Sequence, residues 1–267
     1  MNARTVVTSA RAAGTPGPLL FARYAYPPNE LGYCGPADPS ELLGAAAEGR
    51  EVAVLSHLAS RFEGAYPYLQ LIAASNGIAD PLEACVVEAY WVGNRLLVGV
   101  PATALVASLD ERFEHRVGRQ FAAVANAVPL GGVCQHSFHV FAVYPWLGLL
   151  RAGMEGAPLR VLDRCRIRWG RVLEVSGDLV SVANRVLRFD GSRLVLGPER
   201  TEVVRRSADG VGLAPALEPG DAVSLHWDWV CDRLTKRSLS WLRWSTERNL
   251  AAVNALAAPG PAVACGA

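Results

Sequence analysis

The chain changes texture near residue 153, and that change constrains its fold more than any other feature. From about 21 to 150 the apolar residues recur at spacings of three and four, the period of helices packed on one face. After it come short alternating runs: RIRWGRVLEV, LVSVANRVLRFD, RLVLG, TEVVRR and AVSLHWDWV. They are separated by Gly177-Asp178, Asp190-Gly191 and Gly220-Asp221. Asp-Gly between β-rich runs signals a hairpin, and about five short strands at this spacing read as a small barrel. The run TKRSLSWLRWSTERNLAAVNAL places Leu239, Leu242, Leu250 and Val253 near helical spacing, as an amphipathic helix does. The expected fold is therefore α+β. A flexible N-terminus (1–18) leads to an all-helical domain (19–155), a small OB-like β-barrel (156–236), a C-terminal helix (237–258) and a disordered tail (259–267).

Local signals refine the helical half. Pro39-Ser40-Glu41 opens a run rich in Ala, Leu and Glu, and Asn76-Gly77 stops it. Asp80-Pro81-Leu82-Glu83 predicts a helix start with Asp80 as N-cap and Pro81 at the first position. Breaks are expected at Gly93-Asn94 and Pro101, and one amphipathic helix over Asp110–Val128. Cys134–Leu150 reads as an apolar helix or strand interrupted at Pro145.

The chain has 267 residues, enough for two domains, and 51% of them are hydrophobic, ample for a core. A formal net charge of +1 gives no basic excess for nucleic acid or an anionic membrane. No stretch approaches the roughly 20 apolar residues that span a bilayer, and the start lacks the apolar run of a secretory signal. Six cysteines are scattered through the chain, at 34, 85, 134, 165, 231 and 265. Without an export signal they predict reduced thiols and a cytoplasmic protein.

Two segments of the helical half carry chemistry. In Tyr24–Pro36 (YAYPPNELGYCGP), Pro27-Pro28 and Gly35-Pro36 predict an irregular loop that presents Cys34. In Cys134–Tyr144 (CQHSFHVFAVY), Cys134, His136 and His139 have C-x-H-x-x-H spacing, with both histidines on one face if helical. Together with Cys34 they form a conceivable four-ligand soft metal site. The bland reading is that these groups pack a helix onto the barrel with inert thiols. A haem attachment motif is absent. His57 and His115 sit on amphipathic helices as surface or boundary residues. Trp227, Trp229, Trp241 and Trp244 are either core or an exposed docking face. No nucleophile–base triad, P-loop or dinucleotide loop is evident, so independent turnover is not expected.

The barrel half carries a family pattern at its two ends, Arg164–Val175 (RCRIRWGRVLEV) and Pro219–Leu234 (PGDAVSLHWDWVCDRL). These resemble the opening and closing segments of HypC/HupF-type chaperones, which handle the iron centre during [NiFe]-hydrogenase maturation. The family cysteine falls on Cys165, its Pro-Gly pair on Trp169-Gly170, its Gly-Asp on Gly220-Asp221 and its histidine on His226. The resemblance implies an iron atom, as an Fe–cyanide–CO unit, held by Cys165 and His226. It also implies a hydrogenase large subunit or HypD-like maturation protein as partner. Arg164 and Arg166 flank the cysteine and favour its thiolate. The chain departs from the pattern in three ways. Cys165 is internal rather than N-terminal, Trp169 replaces the proline, and Asp228 replaces a glycine. Asp228 and Cys231 add further potential ligands, and with Trp169, Trp227 and Trp229 they form a candidate interaction set. The whole chain also resembles an uncharacterised bacterial family carrying GYCGP, HSFHVF and HWDWVCD together, which implies a link to hydrogenase gene sets. The expected function is an accessory or maturation factor. The alternatives are a metal-dependent redox or ligand-forming enzyme using the Cys/His set of the helical half, and a non-catalytic docking scaffold.

Overall fold

The computed structural model describes residues 15–47, 52–117, 121–154, 156–208, 211–212 and 214–256, without the side chains of 45–47, 52, 113–117 and 121–123. The expectations for the first 14 residues and for the tail from 257 onward lie outside these, as does the side chain of His115.

The first half is helical: α1 (Gly17–Glu30), α2 (Pro39–Ala47), α3 (Val52–Ser60), α4 (Tyr66–Ser75) and α5 (Ala84–Trp91). A 3₁₀ turn (Arg95–Gly99) precedes α6 (Ala102–Val117) and α7 (Phe121–Ala127). The single turn α8 (His136–Phe138) runs into a π-helical segment, His139–Val143, followed by α9 (Trp146–Arg151) and α10 (Ala157–Cys165). The second half holds β1 (Arg168–Ser176), β2 (Leu179–Phe189), β3 (Leu194–Arg205), β4 (Ser207–Ala208), β5 (Val211–Gly212), β6 (Ala222–His226) and β7 (Trp229–Arg233). Helix α11 (Lys236–Ala255) closes the described chain. Among the described residues, no helix is long and apolar enough to cross a membrane.

The strands close into a barrel in the order β1-β2-β3-β7-β6, with β6 returning antiparallel to β1. Alternation sends Val172, Val182, Val204, Val223, Leu225 and Val230 into one apolar cluster. Register shifts at Val172/Glu174, Arg185/Leu187 and Ser224/Leu225 are bulges, which bend strands and help close a small sheet on itself. The expected turns fall where the Gly/Asp pairs stand. At the β2–β3 turn the Asp190 carboxylate accepts the N–H of Ser192 (2.9 Å) and Arg193 (2.8 Å).

A second, larger core is common to the helices and the barrel wall. It runs from Phe21, Trp91 and Phe138 to Leu187, Leu194, Trp229 and Cys231. Helix α1 lies over the β6–β7 hairpin, with Tyr24 Oη and Ser224 Oγ 2.9 Å apart and Arg23 paired to Asp232 at 3.2 Å. It also crosses the start of α5 so closely that a Cβ on Gly17 would stand 1.7 Å from the Leu82 carbonyl oxygen. Helix α11 starts with a Thr235/Ser238 capping box. Asn249 of α11 then donates to Ser137 Oγ (2.9 Å) and accepts the Val133 N–H (2.8 Å), pinning the HSFHVF segment from behind.

Four local expectations are corrected. Helix α5 starts at Ala84, not Pro81: the Asp80 carboxylate takes the Leu82 N–H (2.8 Å) in a turn that competes with a helix start. The expected helix 110–128 begins earlier, at Ala102 just after Pro101, and α6 and α7 stand either side of residues 118–120. Tyr24–Pro36 is not one irregular loop, because α1 continues through Pro27 and Pro28 to Glu30 and only then turns. Cys165, in the segment expected to open the barrel, lies outside the strands. It is the last residue of α10, and β1 begins at Arg168.

Candidate metal centre

The end of α10 and the end of β6 are drawn together by buried polar links. Arg166, fully buried, pairs with Asp163 (3.0 Å) and donates to the Arg185 carbonyl (2.7 Å). Asp163 also accepts the Leu187 N–H at 2.8 Å, so the last turn of α10 is bound to β2. A buried charge is tolerated only when paired in this way. From the other side, the Trp227 N–H donates to the Arg164 carbonyl at 2.8 Å. Trp227 and Asp228 form the two-residue turn between β6 and β7, and Trp227 has φ 52°, the one non-glycine positive φ among the described residues. Such a conformation costs about 1–3 kcal/mol in a bulky residue and persists where its surroundings dictate it. Here they do. Arg168 donates to the Trp227 carbonyl, and the indole stacks on Tyr33 with centroids 4.6 Å apart. These links place Cys165 beside His226.

The His226 ring is oriented by a prolyl defect in α1. Proline has no N–H, so Pro28 leaves the carbonyl four residues back, that of Tyr24, without its helical partner. His226 Nδ1 lies 2.6 Å from that oxygen. A carbonyl only accepts, so Nδ1 carries the proton and Nε2 is left with its lone pair. Nε2 is buried and has no hydrogen-bond partner. A buried acceptor without a donor costs free energy that a ligand would recover.

His136 arrives from the opposite side. Gln135 Oε1 accepts the Ser137 N–H (2.8 Å) and its Nε2 donates to the Trp91 carbonyl (2.8 Å), which fixes the α8 turn. His136 Nε2 donates to the Cys165 carbonyl (2.8 Å), and its Nδ1 faces the Tyr90 hydroxyl (3.1 Å). The His136 and His226 rings meet edge to face at 5.1 Å, with Trp91 against both.

The result is one cluster: a ligand atom each from His136, Cys165 and His226, all within 4.8 Å of one another and all buried. Among the described residues it is the one group of three or more His, Cys, Asp or Glu that can hold a metal ion. Burial drives the His136 pKa down to about 4 and drives that of His226 well below its ordinary value. Neutral imidazole is the form a metal needs. Burial pushes the Cys165 thiol far up, with the nearby Trp227 indole N–H acting in the opposite direction. A thiol so placed ionises when a cation takes its proton's place. One thiolate and two neutral imidazoles suit a borderline-soft divalent ion such as iron, cobalt or zinc rather than magnesium or calcium. The orphaned His226 Nε2 and the donor set therefore fit a metal. Loading requires His136 to exchange one of its two ring hydrogen bonds for it.

The other expected ligands are placed differently. Cys34 and His139 line a cavity of about 90 Å³ together with His136 and Cys165, but they do not join the ligand cluster. His139 Nδ1 lies 3.1 Å from the Tyr68 hydroxyl, and burial lowers its pKa to about 3. The carbonyls of Cys34 and Pro36 are held by Asn29 Nδ2, each at 2.8 Å, and burial raises the Cys34 thiol to about 12. Cys134 is buried near Tyr68 and Arg112, away from the cavity wall, and its thiol is pushed up to about 12. Cys231 is buried in β7. Of the interaction set, Asp228 is exposed and paired with Arg164 at 2.6 Å. Trp169 is half-buried, with the guanidiniums of Arg166 and Arg243 each 5.8 Å from its ring centroid. Trp227 and Trp229 are buried, the latter donating from Nε1 to Glu30 (2.9 Å). His57 is exposed.

Sequence reasoning singled out His136 but grouped it with Cys34 and Cys134. It missed the Tyr24 carbonyl, which a diproline inside a helix signals once the helix is known to continue. Pro28→Ala restores the N–H that competes for that carbonyl. It is expected to leave the fold intact and to weaken metal binding about tenfold, the lower end for loss of an outer-shell partner. A chelator-competition titration reads this directly, and unchanged affinity would remove the prolyl defect from the account.

The chain belongs to a family of unknown function (DUF6390), whose profile matches residues 13–259. No curated protein and no solved structure matches it.

Proposed function

We propose that the protein is an accessory factor of [NiFe]-hydrogenase maturation. It holds an iron centre at Cys165 and His226, with His136 as a third ligand. Cys165 and His226 are the two positions that match the cysteine and histidine of HypC/HupF-type chaperones. The observation that carries the reading is their convergence, from the end of a helix and the end of a barrel strand, into one buried cluster. The closed five-stranded barrel agrees with the same likeness. In this reading the iron, as its Fe–cyanide–CO unit, is cargo. The partner is the hydrogenase large subunit or a HypD-like maturation protein, met in the cytoplasm. The protein chain supplies a thiolate, two neutral imidazoles and shelter from water, and performs no turnover of its own.

The test is anaerobic purification after co-expression with the hydrogenase maturation proteins, followed by iron analysis and infrared spectroscopy in the cyanide/CO stretching region. Bands present in the native protein and lost in Cys165→Ala are expected. A metal-free, band-free protein that still binds a hydrogenase subunit would make it a docking scaffold instead.

A further inference from the structure

The cavity beside the cluster is more than a packing gap. Its volume of about 90 Å³ is well above the roughly 10–15 Å³ that one water requires by the same measure. Among the described residues its wall contains no Lys, Arg, Asp or Glu. Aromatic and apolar groups dominate it, among them Phe62, Tyr90, Trp91, Trp146 and Val161. The polar groups that reach it from the metal centre are His136 and Cys165.

Outside it lies a second, more open recess of about 480 Å³, where Arg61 and Glu63 supply charge. Tyr33, Cys34, Gly64, His139 and Tyr144 line both spaces, so these five residues form the neck between them. A Cβ on Gly64 would come within 3.4 Å of His139 Nε2. A polar vestibule thus meets an apolar chamber that ends on two of the three candidate metal ligands.

We propose that this chamber is a binding site for a neutral molecule of two or three heavy atoms, held beside Cys165 and His136, and that it rejects anions of the same size. The rejection follows from desolvation. Moving a small anion from water into an uncharged apolar enclosure costs many kcal/mol unless a cation or several donors meet it. An uncharged diatomic or linear triatomic loses little hydration and gains dispersion contacts on all sides. Apolar protein cavities of comparable size, roughly 150 Å³, bind xenon in this way. The role of the site, serving a ligand to a metal, rests on the metal reading above. The selectivity of the chamber does not.

The test therefore uses the metal-free protein. Xenon binding is followed by ¹²⁹Xe NMR, then challenged with nitrous oxide and with azide, linear triatomics of the same electron count that differ in charge. Xenon is expected to bind, and nitrous oxide to displace it. Azide should fail to do so at 100-fold higher concentration. Gly64→Leu, which plugs the neck, should weaken xenon binding at least tenfold. Absence of a xenon site in the native protein, or displacement by azide as readily as by nitrous oxide, would overturn the proposal. Failure of Fe(II) and Co(II) to bind a protein that shows the xenon and nitrous oxide responses would refute the metal reading alone.

Discussion

Cys165→Ala and His226→Ala are each expected to lower Fe(II) or Co(II) affinity by on the order of 1,000-fold, beyond the ~10–100-fold typical of losing an outer-shell partner. The two differ in their side effects. Cys165 sits at the end of α10 with its own carbonyl held by His136, and that bond survives the substitution. His226→Ala also strands the Tyr24 carbonyl and empties the space between Trp91 and the barrel, so it should cost stability as well, about 2–4 kcal/mol. Cobalt is the convenient probe, since a thiolate–cobalt charge-transfer band reports Cys165 itself. Asp228→Asn, at an exposed site paired with Arg164, should retain native affinity. Equal affinity in all three variants would place the metal elsewhere or nowhere.

The metal-free protein should be unusually sensitive to mild acid. Its fold holds His136, His139 and His226 as neutral rings, with pKa values lowered to about 4, to about 3 and well below the ordinary 6.5 respectively. The unfolded chain protonates the same rings near pH 6.5. Below that pH the unfolded state binds more protons than the folded one. The contribution of these groups is therefore fully present above pH 6.5 and lost as pH falls towards 4. Three protons taken up on unfolding give a slope of up to about 4 kcal/mol per pH unit below pH 5.5. That is a large fraction of the total stability of a typical domain. Urea midpoints at pH 7, 6 and 5 check it, and a midpoint that stays level across this range would show that the rings are not held neutral.

The barrel was legible because its signals are local. Alternation marks β1, β2 and β6, and Gly177-Asp178, Asp190-Gly191 and Gly220-Asp221 stand at or beside the turns that join or precede strands. The site was legible in part. Cys165 and His226 stand out by likeness, but the secondary structure around Cys165 was misread. Arg164–Val175 is half helix end and half strand, and the link that ends the helix there, Arg166 to Asp163 and β2, is tertiary. His136 was visible as a candidate but not as the partner of Cys165, since C-x-H-x-x-H spacing points to neighbours in sequence. The pairing that wins crosses from the helical half to the barrel. The diproline misled for a related reason. A lone segment with Pro27-Pro28 loses its helix, whereas packing of Phe21, Tyr24 and Tyr26 against α5 and the barrel holds α1 together.

The carbonyl of Tyr24, the ring of His136, the thiol of Cys165 and the ring of His226 come from segments spread over most of the chain. No two of the three candidate ligands are close enough in sequence to chelate before folding. A chain still on the ribosome therefore cannot present this three-ligand site until β6 has emerged and closed the barrel. Metal is then captured only by finished molecules. Binding that the folded state alone provides is returned as resistance to unfolding. The loaded protein should outlast the unloaded one under proteolysis, so that in a cell the lifetime of the chain would itself record whether a metal had been bound.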